Sequence, residues 1–142
     1  VDSWALTHYA RPWSINVERR WHPHKRAAYV KEWRQAFYHL AHTYKLPTPV
    51  PRPVSIAVCV ALKGKRTMDA GNYFPCVKAA VDGLVDAGVL PDDTPTWVKS
   101  YTLHSPVNRL PTDMLTLIVT LAEWEERRGD IDLYPYGPTP NK

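Results

Sequence analysis

The chain has 142 residues, 44% of them hydrophobic and 23% charged, the proportions of one soluble domain with a single core. No apolar run reaches membrane-spanning length and the opening VDSWALTHY lacks the layout of a signal peptide, so a cytoplasmic protein with no membrane partner is expected. The net charge of +4 is unevenly spread: residues 1–68 carry 12 Lys/Arg against three acids, a balance of +9, and residues 69–142 carry six against 11, a balance of −5.

A basic surface beside an acidic cluster is what a metal-dependent nuclease requires, because Lys and Arg hold the strand while carboxylates hold a cation. A mixed solvated surface accounts for the same charges equally well. The two cysteines, Cys59 in a strand-like run and Cys76 in a helical one, form no CxxC pair. A zinc site or disulfide framework is therefore not indicated, and both are expected as small buried hydrophobes.

Ser3 to Tyr9 alternates Trp4, Leu6 and His8 against Ser3, Ala5 and Thr7, predicting a first strand that Pro12 stops. The loop that follows mixes Arg11, Arg19, Arg20, Lys25 and Arg26 with Trp13 and Trp21. Cations interleaved with aromatics suit a nucleic-acid backbone with occasional base stacking, and a solvated loop whose tryptophans pack on the core fits as well. His22 and His24 have no third ligand nearby, which favours phosphate contact or plain exposure over metal ligation.

From about His24 to Tyr44, Val30, Trp33, Phe37, Leu40 and Tyr44 recur at helical spacing and predict an amphipathic helix packed on a sheet. Pro47, Pro49, Pro51 and Pro53 then form a stiff connector. Val54 to Leu62 is almost continuously apolar and predicts a central strand covered on both faces. Lys63, Lys65 and Arg66 leave it as a basic turn ahead of Asp69.

A second helix is predicted from near Asn72 to Gly88, with Pro75 in its first turn and Phe74, Val77, Val81, Leu84 and Val85 buried. Lys78 and Asp82 stand one turn apart and can pair. Gly83 in the helix interior costs about 1 kcal/mol relative to Ala, which means either close approach of another backbone or simple tolerance. Trp97 to His104 and Met114 to Ala122 read as two strands joined by a loop into an antiparallel hairpin. The expected fold is α+β, one domain over residues 1–126 with a mixed four-stranded sheet and two main helices in the order β-α-β-α-β-β. Residues 127–142, rich in Pro and Gly, read as a flexible tail.

The chemistry gathers around the second helix. Asp69 precedes it, Lys78 and Asp82 lie on it, and Asp92 and Asp93 follow it. Carboxylates from both ends of one element repel unless a cation lies between them, which suits a divalent metal. A helix of about sixteen residues is about 24 Å long, so the chain has to fold back after Gly88 for these acids to meet. Solvated helix caps are the competing account of the same acids.

The string D-x-x-N (Asp69, Asn72), then K-x-x-x-D-G-L (Lys78 to Leu84), then Gly88 and the acid pair, resembles the RusA-like Holliday junction resolvases. The likeness covers roughly residues 4 to 125 and includes an N-terminal strand leading into a basic loop with Pro12 and Asn16. The resemblance implies a small homodimeric endonuclease that binds four-way DNA junctions and makes paired nicks in opposing strands with Mg²⁺, Mn²⁺ substituting. Carried over residue by residue, it assigns Asp69, Lys78, Asp82 and Asp93 to catalysis and Asp69 and Asp93 to the metal, with Asp92 as the acidic neighbour; Asn72, through a neutral oxygen, or Asp92 is expected to complete the metal site. DNA contact falls to Arg11, Asn16, Arg19, Arg20, Lys25, Arg26, Lys63, Lys65 and Arg66. One departure stands out: the family opens D-x-D-N, and Gly71 occupies the second aspartate position, with extra residues before Lys78. Two further expectations follow, a catalytically weak or inactive protein that binds branched DNA, and a nuclease of broader structural taste.

Overall fold

The computed structural model describes residues 2–122, so the expected tail and the end of the domain at residue 126 lie outside them. Strand β1 (Ser3–His8) leads through a loop to the single-turn helix α1 (Ile15–Glu18) and the long helix α2 (Pro23–Thr43). Strand β2 (Val54–Lys63) follows, then a 3₁₀ turn over Ala70–Tyr73, helix α3 (Phe74–Asp86), and strands β3 (Val98–Leu103), β4 (Val107–Leu110) and β5 (Met114–Leu121). The α+β class holds, with five strands rather than four.

The sheet runs β1-β5-β2-β3, with β4 also on β2. β5 is antiparallel to both β1 and β2, whereas β3 and β4 are parallel to β2. The expected hairpin between the last two long strands is therefore absent: β3 and β5 lie on opposite sides of β2. Parallel pairing of β3 needs a crossover from the end of β2 back to its start, and α3 is that crossover. The extra strand arises because Pro106, lacking an N–H, cannot continue the ladder, so the edge strand breaks after Leu103 and resumes at Val107.

Both helices cover one face of the sheet. Val54, Ile56, Val58, Val60 and Leu62 of β2, Leu6 of β1 and Leu115, Leu117 and Val119 of β5 face them and are buried, with Trp33, Phe37, Val77, Val81 and Leu84 from above. The other face is not covered in the same way. Ser55 and Ala57 are half-buried and Cys59 is exposed, contrary to the expectation of two covered faces and a buried Cys59. Small outward residues made the sequence of β2 look uniformly apolar without supplying a second buried face. On that side hydroxyl pairs link β1 to its neighbour β5, Ser3 to Thr120 at 3.1 Å and Thr7 to Thr116 at 2.8 Å. Cys76 does lie in the core.

Helix α2 begins at Pro23, where a missing N–H costs nothing, and His22 caps it by accepting the His24 backbone N–H on Nδ1 at 3.1 Å. The His pair thus has a local structural role, its rings stacked 4.8 Å apart. Trp33, Phe37 and Ala41 form the buried stripe, while Tyr44, expected on it, sits at the C-cap with 57% of its surface exposed. Gly83 answers the sequence question: a Cβ there would run into the Arg34 carbonyl oxygen and lie 3.1 Å from Phe37 Cβ. Glycine lets α3 lie directly on the backbone of α2, and Arg34 fastens the crossing with two hydrogen bonds to Asp86, at 3.0 and 2.7 Å.

Candidate functional site

Helix α3 runs 13 residues, shorter than the span expected from near Asn72 to Gly88, because Ala70–Tyr73 winds as a 3₁₀ turn ahead of it. Its end is a Schellman motif: the Gly88 N–H bonds the Val85 carbonyl and the Val89 N–H the Leu84 carbonyl, both at 3.0 Å, with Gly88 at φ 85°. Val89 and Leu84, both fully buried, supply the accompanying apolar contact. The chain reverses there. Lys78 lies eight residues before Asp86, about 12 Å back along the axis, and five residues of extended chain reach at most about 18 Å, so Asp93 can return to Lys78.

It does so. The Lys78 ammonium donates to Asp82 Oδ1 at 2.8 Å and to Asp93 Oδ2 in a short ion pair. Asp82 is the expected helical partner, four residues on. These bonds, to Asp82 first and then Asp93, hold the ammonium above its ordinary pKa. The Lys78 bond in turn holds the Asp93 carboxyl below the usual range. Asp92, beside it, points elsewhere and accepts the Thr94 backbone N–H at 2.9 Å and hydroxyl at 2.6 Å, which shapes the turn into β3. Of the acid pair, Asp93 is the member that faces the helix.

Tyr101 of β3 belongs to this neighbourhood and was not singled out from sequence. Burial chiefly, then the charge of Asp93, raises its pKa, and its ring meets Phe74 edge-on at 5.5 Å. A tyrosine in an ordinary strand carries no signal of this, since only the parallel placement of β3 brings it to α3.

Asp69 stands at the other end of the α3 segment, exposed, its backbone carbonyl accepting the Asn72 N–H at 2.9 Å. The carboxylate makes no capping bond and has no side-chain partner among the described residues. Tyr73 anchors the turn behind it, with its hydroxyl donating to the His104 carbonyl at 2.6 Å where the edge strand breaks. Burial pushes that phenol up to about 12, so it remains a donor throughout the neutral range.

The basic loop meets this turn. Trp13 is buried in the core; its backbone N–H bonds Cys76 Sγ at 3.1 Å, the thiol bonds its carbonyl at 3.3 Å, and its indole N–H bonds Glu18 at 2.9 Å. The loop is thereby fastened to the first turn of α3. Burial raises the Cys76 thiol well above its normal pKa, which suits an inert anchor. Ser14 caps α1 by accepting the Val17 N–H at 3.1 Å. A cavity of about 520 Å³ opens between loop and turn, and Arg11, Asn16, Arg66, Asp69 and Asn72 all line it.

The other predicted contacts are more dispersed. Arg26 lines a second cleft of about 600 Å³ with Lys78 and Asp82. Arg19, Arg20, Lys25, Lys63 and Lys65 are exposed, Lys25 lying 5.1 Å from the Trp21 ring centroid. Asp113 was missed from sequence, where it is one acid in a short turn. It accepts Arg11 at 3.2 Å and the Lys63 backbone N–H at 2.7 Å, tying the loop to the exit of β2. Asp69, Asp92 and Asp93 are not brought together here: among the described residues, no group of three or more His, Cys, Asp or Glu is gathered to hold a metal ion. No helix among the described residues is long and apolar enough to cross a membrane. No family model matches the chain, and no curated protein matches it.

Proposed function

We propose that this chain is a Mg²⁺-dependent endonuclease that resolves four-way DNA junctions by paired nicks in opposing strands, acting as a homodimer because one site cannot cut both strands in one encounter. The observation that carries the reading is the return of Asp93 onto Lys78, which joins motif residues of α3 and of the turn after it into one charged group. Asp69 supports it from the pocket it shares with Arg11, Asn16 and Arg66.

The donor set is all oxygen and suits Mg²⁺ or Mn²⁺. Asp69, with Asn72 as a neutral neighbour, has a free carboxylate, whereas Asp93 holds Lys78 through Oδ2 and Asp92 is engaged by Thr94. A divalent ion held by these carboxylates would supply polarisation of the phosphodiester and activation of water. Lys78, held by Asp82 and Asp93, would offset the charge that develops on the phosphate. Arg66 and Arg11 hold the flanking phosphates.

The test is a synthetic four-way junction in Mg²⁺, wild type beside Asp69→Asn. Symmetric nicking far faster than on a linear duplex, abolished in the variant with binding intact, is expected. Uncut junction at saturating protein in Mg²⁺ and in Mn²⁺ would refute the reading, and a strict monomer by light scattering would remove paired nicking. Flaps and forks cut as readily as junctions would indicate the broader nuclease.

One observation favours the binding-only alternative. A Cβ on Gly71 meets nothing within 4 Å, and its φ is not in the left-handed region, so an aspartate would fit. The missing carboxylate is therefore not a steric necessity of this backbone.

A further inference from the structure

The cavity beside Asp69 has a construction that phosphate contact alone does not explain. One wall is aromatic: Trp21 and Tyr29 stack with centroids 4.5 Å apart and planes 25° apart, and Trp13 lies behind them at 5.9 and 5.8 Å. Tyr29 is exposed and Trp21 half-buried, and the Lys25 ammonium lies over the Trp21 ring, 5.1 Å from its centroid, where a stacking base would displace it. The cations Arg66 and Arg11 line the same cavity, Arg11 also bonding Asp113 at 3.2 Å, and Asn16, Asn72 and Thr67 add amide and hydroxyl groups. Arg66 is exposed and has no hydrogen-bond or ion-pair partner among the described residues.

We propose that this cavity takes one unpaired nucleotide of the bound strand, its base against the Trp21 and Tyr29 wall and its phosphate on Arg66 and Arg11. The proposal rests on the nuclease reading for the strand being DNA next to the scissile phosphate. A paired base has both faces stacked and its edge in use, so only an unpaired base brings a free π-face and a free edge to such a wall. The volume, about 520 Å³, falls in the range of small-ligand sites. The asparagine amides offer both donors and acceptors, suited to a base edge that presents both. Because Asp69 lines the same cavity, the base held there belongs to a nucleotide near the cut, and sequence preference at the cut follows from what Asn16 and Asn72 accept.

The second cleft does not compete for this role. Ile15, Pro23, Ala27, Val30, Phe74 and Pro75 give it a mainly apolar lining, its charged residues include the acids Glu18 and Asp82, and it has no stacked aromatic pair.

The experiment measures binding of a fluorescent oligothymidylate of about a dozen nucleotides, and of the same strand with abasic residues throughout, to wild type, Trp21→Ala and Arg66→Ala. Wild type should bind the base-bearing strand about tenfold more tightly than the abasic one. Trp21→Ala should lose that difference, while Arg66→Ala, at an exposed position with no partner to disturb, should weaken both strands by the same factor and keep it. Equal binding of both strands by wild type, or an undiminished base effect in Trp21→Ala, overturns the proposal. So does thymidine 5′-monophosphate competing as tightly as the strand, which would make this a free-nucleotide site. If junctions go uncut while the base effect and its loss in Trp21→Ala hold, the nuclease reading fails and the pocket stands.

Discussion

Replacing Gly83 by alanine sets two effects of opposite sign against each other at the crossing that positions Lys78 and Asp82. Intrinsic helix propensity favours alanine by about 1 kcal/mol, so on an isolated helix the change stabilises. Here the added methyl would meet the Arg34 carbonyl oxygen below any normal contact distance and Phe37 Cβ at 3.1 Å. The first obstacle is backbone and cannot rotate away, so α2 and α3 must separate. Overpacking of this kind costs about 1 to 3 kcal/mol, and separation also strains the two bonds from Arg34 to Asp86. The net expectation is destabilisation by about 1 to 2 kcal/mol, a fall in Tm of roughly 3 to 8 °C for a domain of this size. Urea unfolding followed by circular dichroism measures it directly. A Gly83→Ala protein more stable than wild type by the propensity difference would show that the two helices are not in backbone contact, and the placement of Lys78 relative to α2 would fall with it.

Gly71→Asp should fold with unchanged stability, since its Cβ enters open space, and should raise Mg²⁺ affinity and junction cleavage about tenfold by adding a carboxylate ligand; titration of cleavage against Mg²⁺ reads both. The Lys78 contacts have a defined pH window: the depressed Asp93 pKa gives a contribution present above the ordinary carboxyl value and lost as pH falls through its folded value. The raised Lys78 pKa gives one present below 10.5 and lost as pH rises through its folded value. Lys78→Met should therefore flatten the acid and alkaline limbs of stability against pH and lower the plateau by the same amount, a small one because the lysine is half exposed and its pairs are screened. Under native conditions a thiol reagent should modify Cys59 quickly and Cys76 only on unfolding; two fast thiols would contradict the anchoring of Trp13 on Cys76.

Local physics was legible in the sequence wherever one element decides its own form. Hydrophobic spacing placed α2 almost to the residue, a nearly continuous apolar run placed β2, and Gly88 marked where α3 yields to a left-handed turn. The pairing of Lys78 with Asp82 needed only helical periodicity. Even the close helix contact at Gly83 was one of two readings open from the sequence, because an interior glycine has few reasons to exist.

What the tertiary structure alone decided concerns partners distant along the chain. Apolar patterning tells a strand which face to bury but not which neighbour to pair with, so β3 read as one arm of a hairpin when it lies parallel to β2. That single placement brings Tyr101 near Lys78 and Asp93. Arg11 with Asp113, and the cavity joining Trp21, Arg66 and Asp69, likewise depend on where loops end up in space, and no local pattern encodes that. The sequence determined which residues carry charge and aromatic surface, because side-chain chemistry is local. The fold determined which of them meet, because it brings distant parts of the chain together.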